Sequence, residues 1–453
     1  MAAERLSPFD ASFLAVERPN APMHVGWVAL FDPPSRGARP GFEELFSHLA
    51  GRMGMAPRYR QRLEGVPFGL HDPVWVDDPD FHPTEHLLPG AGAELDDLAD
   101  AVFSEPLPRD RPLWEVWIHD ELPDGGIALV GKAHHCMVDG VAAMQLANLV
   151  LDKDPVRGGS RGADGWEAAP RPSAGARLAD AVTDRLAGGA TIAAAPLRFA
   201  RSPSNVLALP GAAARSARLA AHTLLPPAVS GSALNLDGSG ARHHVRVMRP
   251  LDALRGVRRR FGVTPNDVVL AAAAGGLRRF LTRRGETPQP MKAMVPADVR
   301  AAADEPGAGN RISFTFLELP CDEPDPVARL RRVGEATASR SEDAAEFDAA
   351  MRALALGPRP LQRALAHAFA HPRLFNLVVS SVAGPAVPRY LRGCRLRAIH
   401  PAVPLTGRHA LSIGVLTVAG QACFGLYADP AVLPDADTLA EDLGAAVDEL
   451  TAC

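Results

Sequence analysis

Apolar and polar positions fall into two patterned regions separated by a stretch with no period. In the first region, His24–Phe31 and Gly126–Lys132 are short apolar runs bounded by Pro or Gly, which predicts strands, and helical spacing lies between them. The same texture returns from His243 onward. Strands are predicted at Met291–Val295, Ile312–Leu319, Leu377–Val382, Ala410–Thr417 and Gln421–Tyr427, and helices over Asn266–Leu281, Asp325–Arg340 and Asp437–Leu450. Val418-Ala419-Gly420 between the last two strands reads as a hairpin turn. The pattern predicts an α/β protein with a lobe over 1–152, a variable segment over 153–242 and a second lobe over 243–453. Within the segment, Lys153–Gly175 is rich in Gly, Pro, Ser and Arg and reads as a flexible linker. Ala176–Leu225 is its locally basic continuation, where Arg177, Arg185, Arg198, Arg201, Arg215 and Arg218 outnumber Asp180 and Asp184. No solenoid-type repeat is apparent.

Composition narrows the function classes. With 453 residues, 47% of them hydrophobic, the chain has material for two or three folded units. Its 48 Lys+Arg against 52 Asp+Glu give a net charge of -4, without the basic excess of a nucleic-acid binder. Five scattered cysteines offer neither a disulfide framework nor a CxxC knuckle, and a reducing cytoplasm is expected. The opening MAAERLSPFD lacks a basic segment followed by an apolar core, so no secretory signal is expected. No run reaches the roughly 18 apolar residues of a membrane span, so any contact with lipid is expected from the water side.

The sharpest local signal is Lys132-Ala133-His134-His135-Cys136-Met137-Val138-Asp139-Gly140, between the apolar run GIALVG and the helical pattern VAAMQLANLVL. A histidine titrating near neutrality removes a proton from a hydroxyl or thiol as it attacks a carbonyl. Adjacent side chains on an extended strand point to opposite faces, so only one of His134 and His135 faces any one site, and the pair does not converge on one metal ion. Asp139 is open to two readings, a helix N-cap or a buried anion with a cationic partner. Gly158-Gly159-Ser160-Arg161-Gly162 matches G-x-S-x-G, but it lacks the apolar strand before it and the helix after it that a nucleophile elbow needs. Thr264-Pro265-Asn266-Asp267 forms a good helix opening, which leaves Asn266 and Asp267 open to a capping or a site-shaping role. Trp114 in Pro112-Leu113-Trp114 reads mainly as core, and Cys136 as a packing residue.

HHCMVDG, together with Pro112-Leu113-Trp114 and Asn266-Asp267 in PNDVVLA, resembles the bacterial wax ester synthase/acyl-CoA:diacylglycerol acyltransferase family. LSPFDASFLAVERPNAPMHVG, MVPADVR, GNRISFTFLELP, NLVVSSVAGP and FGLYADP resemble that family's pattern in the same order. The poorly matched part runs from Lys153 to about Arg242. HHxxxDG alone marks a wider superfamily that includes chloramphenicol acetyltransferase and peptide-synthetase condensation domains.

The resemblance implies two chloramphenicol-acetyltransferase-like α/β lobes with the active site at their interface. It implies His135 as general base, His134 as its structural neighbour, and Asp139, followed by Gly140, as an organiser paired with Arg300. Ser380 and Ser381 fall where the family usually has Ser-Asn, so Ser381 would reach a reacting carbonyl less far. The implied reaction moves a fatty acyl group from acyl-CoA, as substrate and without a cofactor or metal, to diacylglycerol or a long-chain alcohol. Peripheral contact with a membrane or lipid droplet is one reading of Ala176–Leu225, and an amphipathic crossover is the other. Two alternatives share the fold: condensation of carrier-bound acyl groups, and a non-catalytic lipid-binding protein.

Overall fold

Two six-stranded sheets carry the fold, and two strands from the second half of the chain complete the first of them. The structure is a computed structural model that describes residues 4–138, 140–155, 166–186, 232–298, 312–338 and 359–453. In the first half, β1 (His24–Phe31), β4 (Leu87–Pro89), β5 (Trp114–His119) and β6 (Ile127–His134) join helices α1 (Pro8–Val16), α2 (Phe42–Met53), α3 (Leu95–Ser104) and α4 (Gly140–Val150). A small hairpin of β2 (Gln61–Glu64) and β3 (Val74–Asp77) stands apart. The second half contributes β7 (His243–Pro250), β8 (Met291–Asp298), β9 (Ile312–Leu319), β10 (Leu377–Ala383), β11 (Tyr390–Leu391), β12 (Cys394–Ala402), β13 (Leu411–Val418) and β14 (Gln421–Ala428). Its helices are α5 (Leu251–Phe261), α6 (Pro265–Arg283), α7 (Pro326–Ala338), α8 (Arg359–Phe369) and α9 (Ala436–Ala452).

The first sheet runs β11-β12-β1-β6-β5-β4 and the second β7-β14-β13-β10-β8-β9. β12 pairs antiparallel with β1, with Val28 opposite His400. It also lies against the second sheet, where His400 Nδ1 donates to the Phe424 carbonyl at 2.8 Å. Gly425 of β14 is the point of closest approach, because a Cβ there would collide with the Pro401 carbonyl oxygen. One strand therefore belongs to one sheet by hydrogen bonding and touches the other by packing.

Each sheet has its own apolar core, one around Phe31, Phe103, Trp114 and Val130, the other around Leu270, Leu277, Phe424 and Leu443. Local chemistry starts the helices that flank them. Ser7 caps α1 by accepting the Asp10 N–H at 3.0 Å, with Pro8 at the first helical position. Thr264 and Asp267 form a reciprocal capping box at α6. Small residues in its AAAAGG run let α6 lie close on α9, with Gly276 against the Leu443 backbone.

The stretch read as a flexible linker lies against the first lobe from residue 166. Trp166 stacks under Arg60 at 4.3 Å, the Ala169 N–H donates to Asp77, and Arg171 and Arg177 both pair with Glu64. Residues 174–186 are helical, and Arg185 Nε donates to the Leu70 carbonyl. Arg198, Arg201, Arg215 and Arg218 lie outside the described residues.

Candidate active site at the end of β6

All eight residues of β6 are buried, because the strand is central in its sheet and covered on both faces. Lys132 is held there by its ammonium, which donates to the Val102 carbonyl at 2.8 Å and the Glu105 carbonyl at 2.7 Å and pairs with Glu115 at 3.4 Å. It thereby ties the last turn of α3 to the strand that leads into the histidine motif. The chain then turns over residues 135–137 before α4 begins.

His134 points into the protein, and His135 lines a cavity. The Cys136 N–H donates to His134 Nδ1 at 3.1 Å, which puts the ring proton on Nε2, 3.3 Å from both Glu17 Oε1 and Arg109 Nη2. Burial, reinforced by the Arg109 guanidinium, holds the His134 pKa well below the usual imidazole range, and the ring is neutral. The His135 N–H donates to the Met23 carbonyl at 2.8 Å, and its ring stacks on Phe13 with centroids 4.0 Å apart and planes 6° from parallel. Burial pushes the Cys136 thiol up, so it stays protonated beside them.

The cavity measures about 590 Å³ and is built by both sheets. Trp27, Phe31, Leu49, Met53 and Val150 line it from the first lobe, and Pro296, Phe314, Val382 and Val415 from the second, with Ile399 and Ala402 of β12 between them. His135, Ser380 and Ser381 stand out as polar groups in a largely apolar lining, the form of a site for an apolar ligand with a few placed polar contacts. Gly131 keeps a side chain out of the way of the Trp27 indole, which would otherwise meet it. Among the described residues no cluster of three His, Cys, Asp or Glu has the form of a metal site.

The residues singled out from sequence are not all gathered here. His135, Ser380 and Ser381 line one cavity, and His134 supports its wall. Gly140 opens α4, the helix whose Leu146, Ala147 and Val150 also line it. Asp139 and Arg300 lie outside the described residues. Asn266 and Asp267 do not line the cavity. Asp267 accepts from the Thr264 N–H and, through Oδ1, from the Thr337 hydroxyl at 2.7 Å, which makes it the joint between α6 and α7. Trp114 is core, with Nε1 donating to the Tyr59 carbonyl at 2.8 Å. Phe13, Met23, Glu17 and Arg109 surround the histidines without having been singled out. Phe13, Glu17 and Met23 lie inside the segment LSPFDASFLAVERPNAPMHVG, but nothing in its spacing separates them from their neighbours.

Comparison with known proteins places this geometry. The wax ester synthase/diacylglycerol acyltransferase catalytic domain matches residues 6–269, and the WS/DGAT C-terminal domain matches residues 308–451. A probable diacylglycerol O-acyltransferase of Mycobacterium tuberculosis is 32% identical, over 98% of this chain and 98% of its own length. A second M. tuberculosis protein, a putative diacylglycerol O-acyltransferase, is 31% identical over 100% of this chain and 91% of its own length. Among solved structures, the wax ester synthase/diacylglycerol acyltransferase from Marinobacter aquaeolei superposes with a TM-score of 0.69 at 26% identity, covering 99% of this chain and 98% of that one. The first condensation domain of the calcium-dependent antibiotic synthetase shares the fold, with a TM-score of 0.62 at 18% identity over 100% of this chain and 97% of that one. The chain, with its two sheets meeting around the His135 cavity, belongs to the wax ester synthase/diacylglycerol acyltransferase family.

Proposed function

We propose that this member of the family transfers a long-chain acyl group from acyl-CoA to the hydroxyl of diacylglycerol or of a long-chain alcohol, with His135 as general base in a ternary complex. The observation that carries the reading is one protonatable ring in the wall of an otherwise largely apolar cavity shared by the two lobes. A neutral alcohol is a weak nucleophile, so the imidazole takes its proton as the new C–O bond forms at the thioester carbonyl. The C–S bond then breaks, and the proton passes from the imidazolium to the departing CoA thiolate.

Apolar walls align the two chains and exclude water, each buried methylene adding about 0.8 kcal/mol of binding. Ser380 and Ser381 line the same cavity, and in this reading a hydroxyl from one of them donates to the oxygen of the tetrahedral intermediate. Asp139 and Arg300 belong to this reading as a pair that organises the histidine turn. So does contact with a membrane or lipid droplet from the water side, which would supply the acceptor. Among the described residues no helix is long and apolar enough to cross a membrane.

The test is CoA release from palmitoyl-CoA with dioleoylglycerol or hexadecanol as acceptor, by wild type and by His135→Ala. The expected result is acceptor-dependent release that falls by about 10² to 10⁴ in the variant. Equal release by both proteins would remove His135 from the mechanism. Absence of release from folded wild type that still binds palmitoyl-CoA would favour lipid binding without turnover.

A further inference from the structure

We propose that Glu17 is a positioning residue for His135, acting through His134 and the backbone of Met23. The proposal rests on the acyl-transfer reading for its kinetic consequence and on geometry for its substance. Glu17 follows the last residue of α1, and its carboxylate turns back under the histidine turn. Its Oε1 accepts the Met23 N–H at 3.0 Å and stands 3.3 Å from His134 Nε2, while Oε2 pairs with the Arg109 guanidinium. Met23 in turn accepts the His135 N–H at 2.8 Å. Phe13, one turn earlier on α1, lies flat on the His135 ring.

The end of α1 and the loop after it therefore grip the turn at three places: the backbone of His135 through Met23, the face of its ring through Phe13, and the ring of its neighbour through Glu17. Glu17 links two of the three. The Cys136 N–H already occupies His134 Nδ1, so the neutral ring carries its proton on Nε2, which lies 3.3 Å from both Arg109 Nη2 and Glu17 Oε1, and of the two only the carboxylate is able to accept it. Arg109 neutralises the carboxylate without supplying an acceptor of its own. Without Glu17, the His134 ring and the Met23 amide each lose an acceptor, and the turn is free to rotate His135 away from the cavity. A misplacement of about 1 Å in a base is enough to lower turnover about 10²-fold.

The experiment compares wild type, Glu17→Ala and Glu17→Gln by CoA release and by the rate at which diethyl pyrocarbonate modifies His135, read by peptide mass mapping. Glu17→Ala is expected to lower kcat about 10²-fold with KM for palmitoyl-CoA within about twofold, the signature of lost placement without lost binding. Its His135 is expected to react several-fold faster as the ring leaves the Phe13 stack. Glu17→Gln keeps an acceptor oxygen at the same reach, so it is expected to recover kcat to within about tenfold of wild type and to protect His135. Should Glu17→Ala lose its fold, Glu17→Leu fills the space without the acceptor and reads the same way.

Wild-type kcat in the apolar variants, or a glutamine variant no better than alanine, overturns the proposal. If wild type releases no CoA, the acyl-transfer reading fails separately, and His135 reactivity decides the positioning role: an unchanged rate in Glu17→Ala refutes it.

Discussion

Lys132 sits in the middle of β6 with its ammonium closed off from water, between two carbonyls and Glu115. Burial lowers its pKa, and Glu115 works against that shift. In the sequence it is one letter of the histidine motif, and an ordinary reading places a lysine at the surface. In the fold it fastens the end of α3 to the strand that ends at His134. Removing it leaves two buried carbonyls and a carboxylate without their cation, which costs more than the pair contributes when intact. Lys132→Met, close in length and apolar, is expected to destabilise the protein by about 3 kcal/mol in urea unfolding. A change below about 0.5 kcal/mol would show that water or a neighbour takes its place. Asp267 teaches the complementary lesson. Its position in a helix opening was legible because capping is a local matter, while its bond to Thr337, 70 residues away, was not.

Strands whose identity depends on their own apolar run were legible, and strands defined by a distant partner were not. Ile312–Leu319 was read with its observed limits, and Gln421–Tyr427 within one residue of them. The hairpin turn was also legible, though its cost was not: Ala419 and Gly420 both take positive φ, at 51° and 79°, and the alanine does so without glycine's freedom. β12 went unread. CRLRAIHPA mixes charge, His and Pro with apolar residues, and becomes a strand because β1, about 370 positions earlier, offers it an edge. The same limit applies to the site. HHCMVDG announced itself by spacing, whereas Phe13 and Met23 contact His135 only through the path of α1 and the loop after it. The fit of β12 between the sheets is tested at Gly425. Gly425→Ala places a methyl against the Pro401 carbonyl, where backbone and not a flexible side chain must move. The expected cost is about 2–3 kcal/mol, read as a lower Tm, together with weaker palmitoyl-CoA binding, because Pro401 and Ala402 line the cavity. An unchanged Tm would mean that β12 rides on the second sheet more loosely than the geometry implies.

Across the whole molecule, polar joints at the lobe boundary tie the halves together. His243 at the start of β7 bonds Asp100 of α3 through Nδ1 at 2.6 Å and Asp437 of α9 through Nε2 at 3.0 Å. Hydrogen bonding to the two carboxylates raises its pKa to about 9. A raised folded-state pKa means stability fully present below the unfolded value of about 6.5 and lost as pH climbs through about 9. On the acid side, burial lowers His244 to about 3 and His400 and His409 to about 4. Their stabilisation is complete above about 6.5 and drains away as pH falls toward 4, because the unfolded chain takes up protons that the folded one refuses. Tm is therefore expected to peak near neutral pH. His243→Gln should flatten the alkaline limb alone, and an alkaline limb identical to wild type would exclude His243 as its source. The passage of β12 into the first sheet also governs how the molecule is made. A ribosome has released β1, β4, β5 and β6 long before residues 394–402 emerge, so the nascent first lobe waits with the apolar HVGWVALF strand as an open edge. That interval invites pairing with other chains, and a fragment ending at residue 269, where the catalytic-domain match stops, would stay in it permanently.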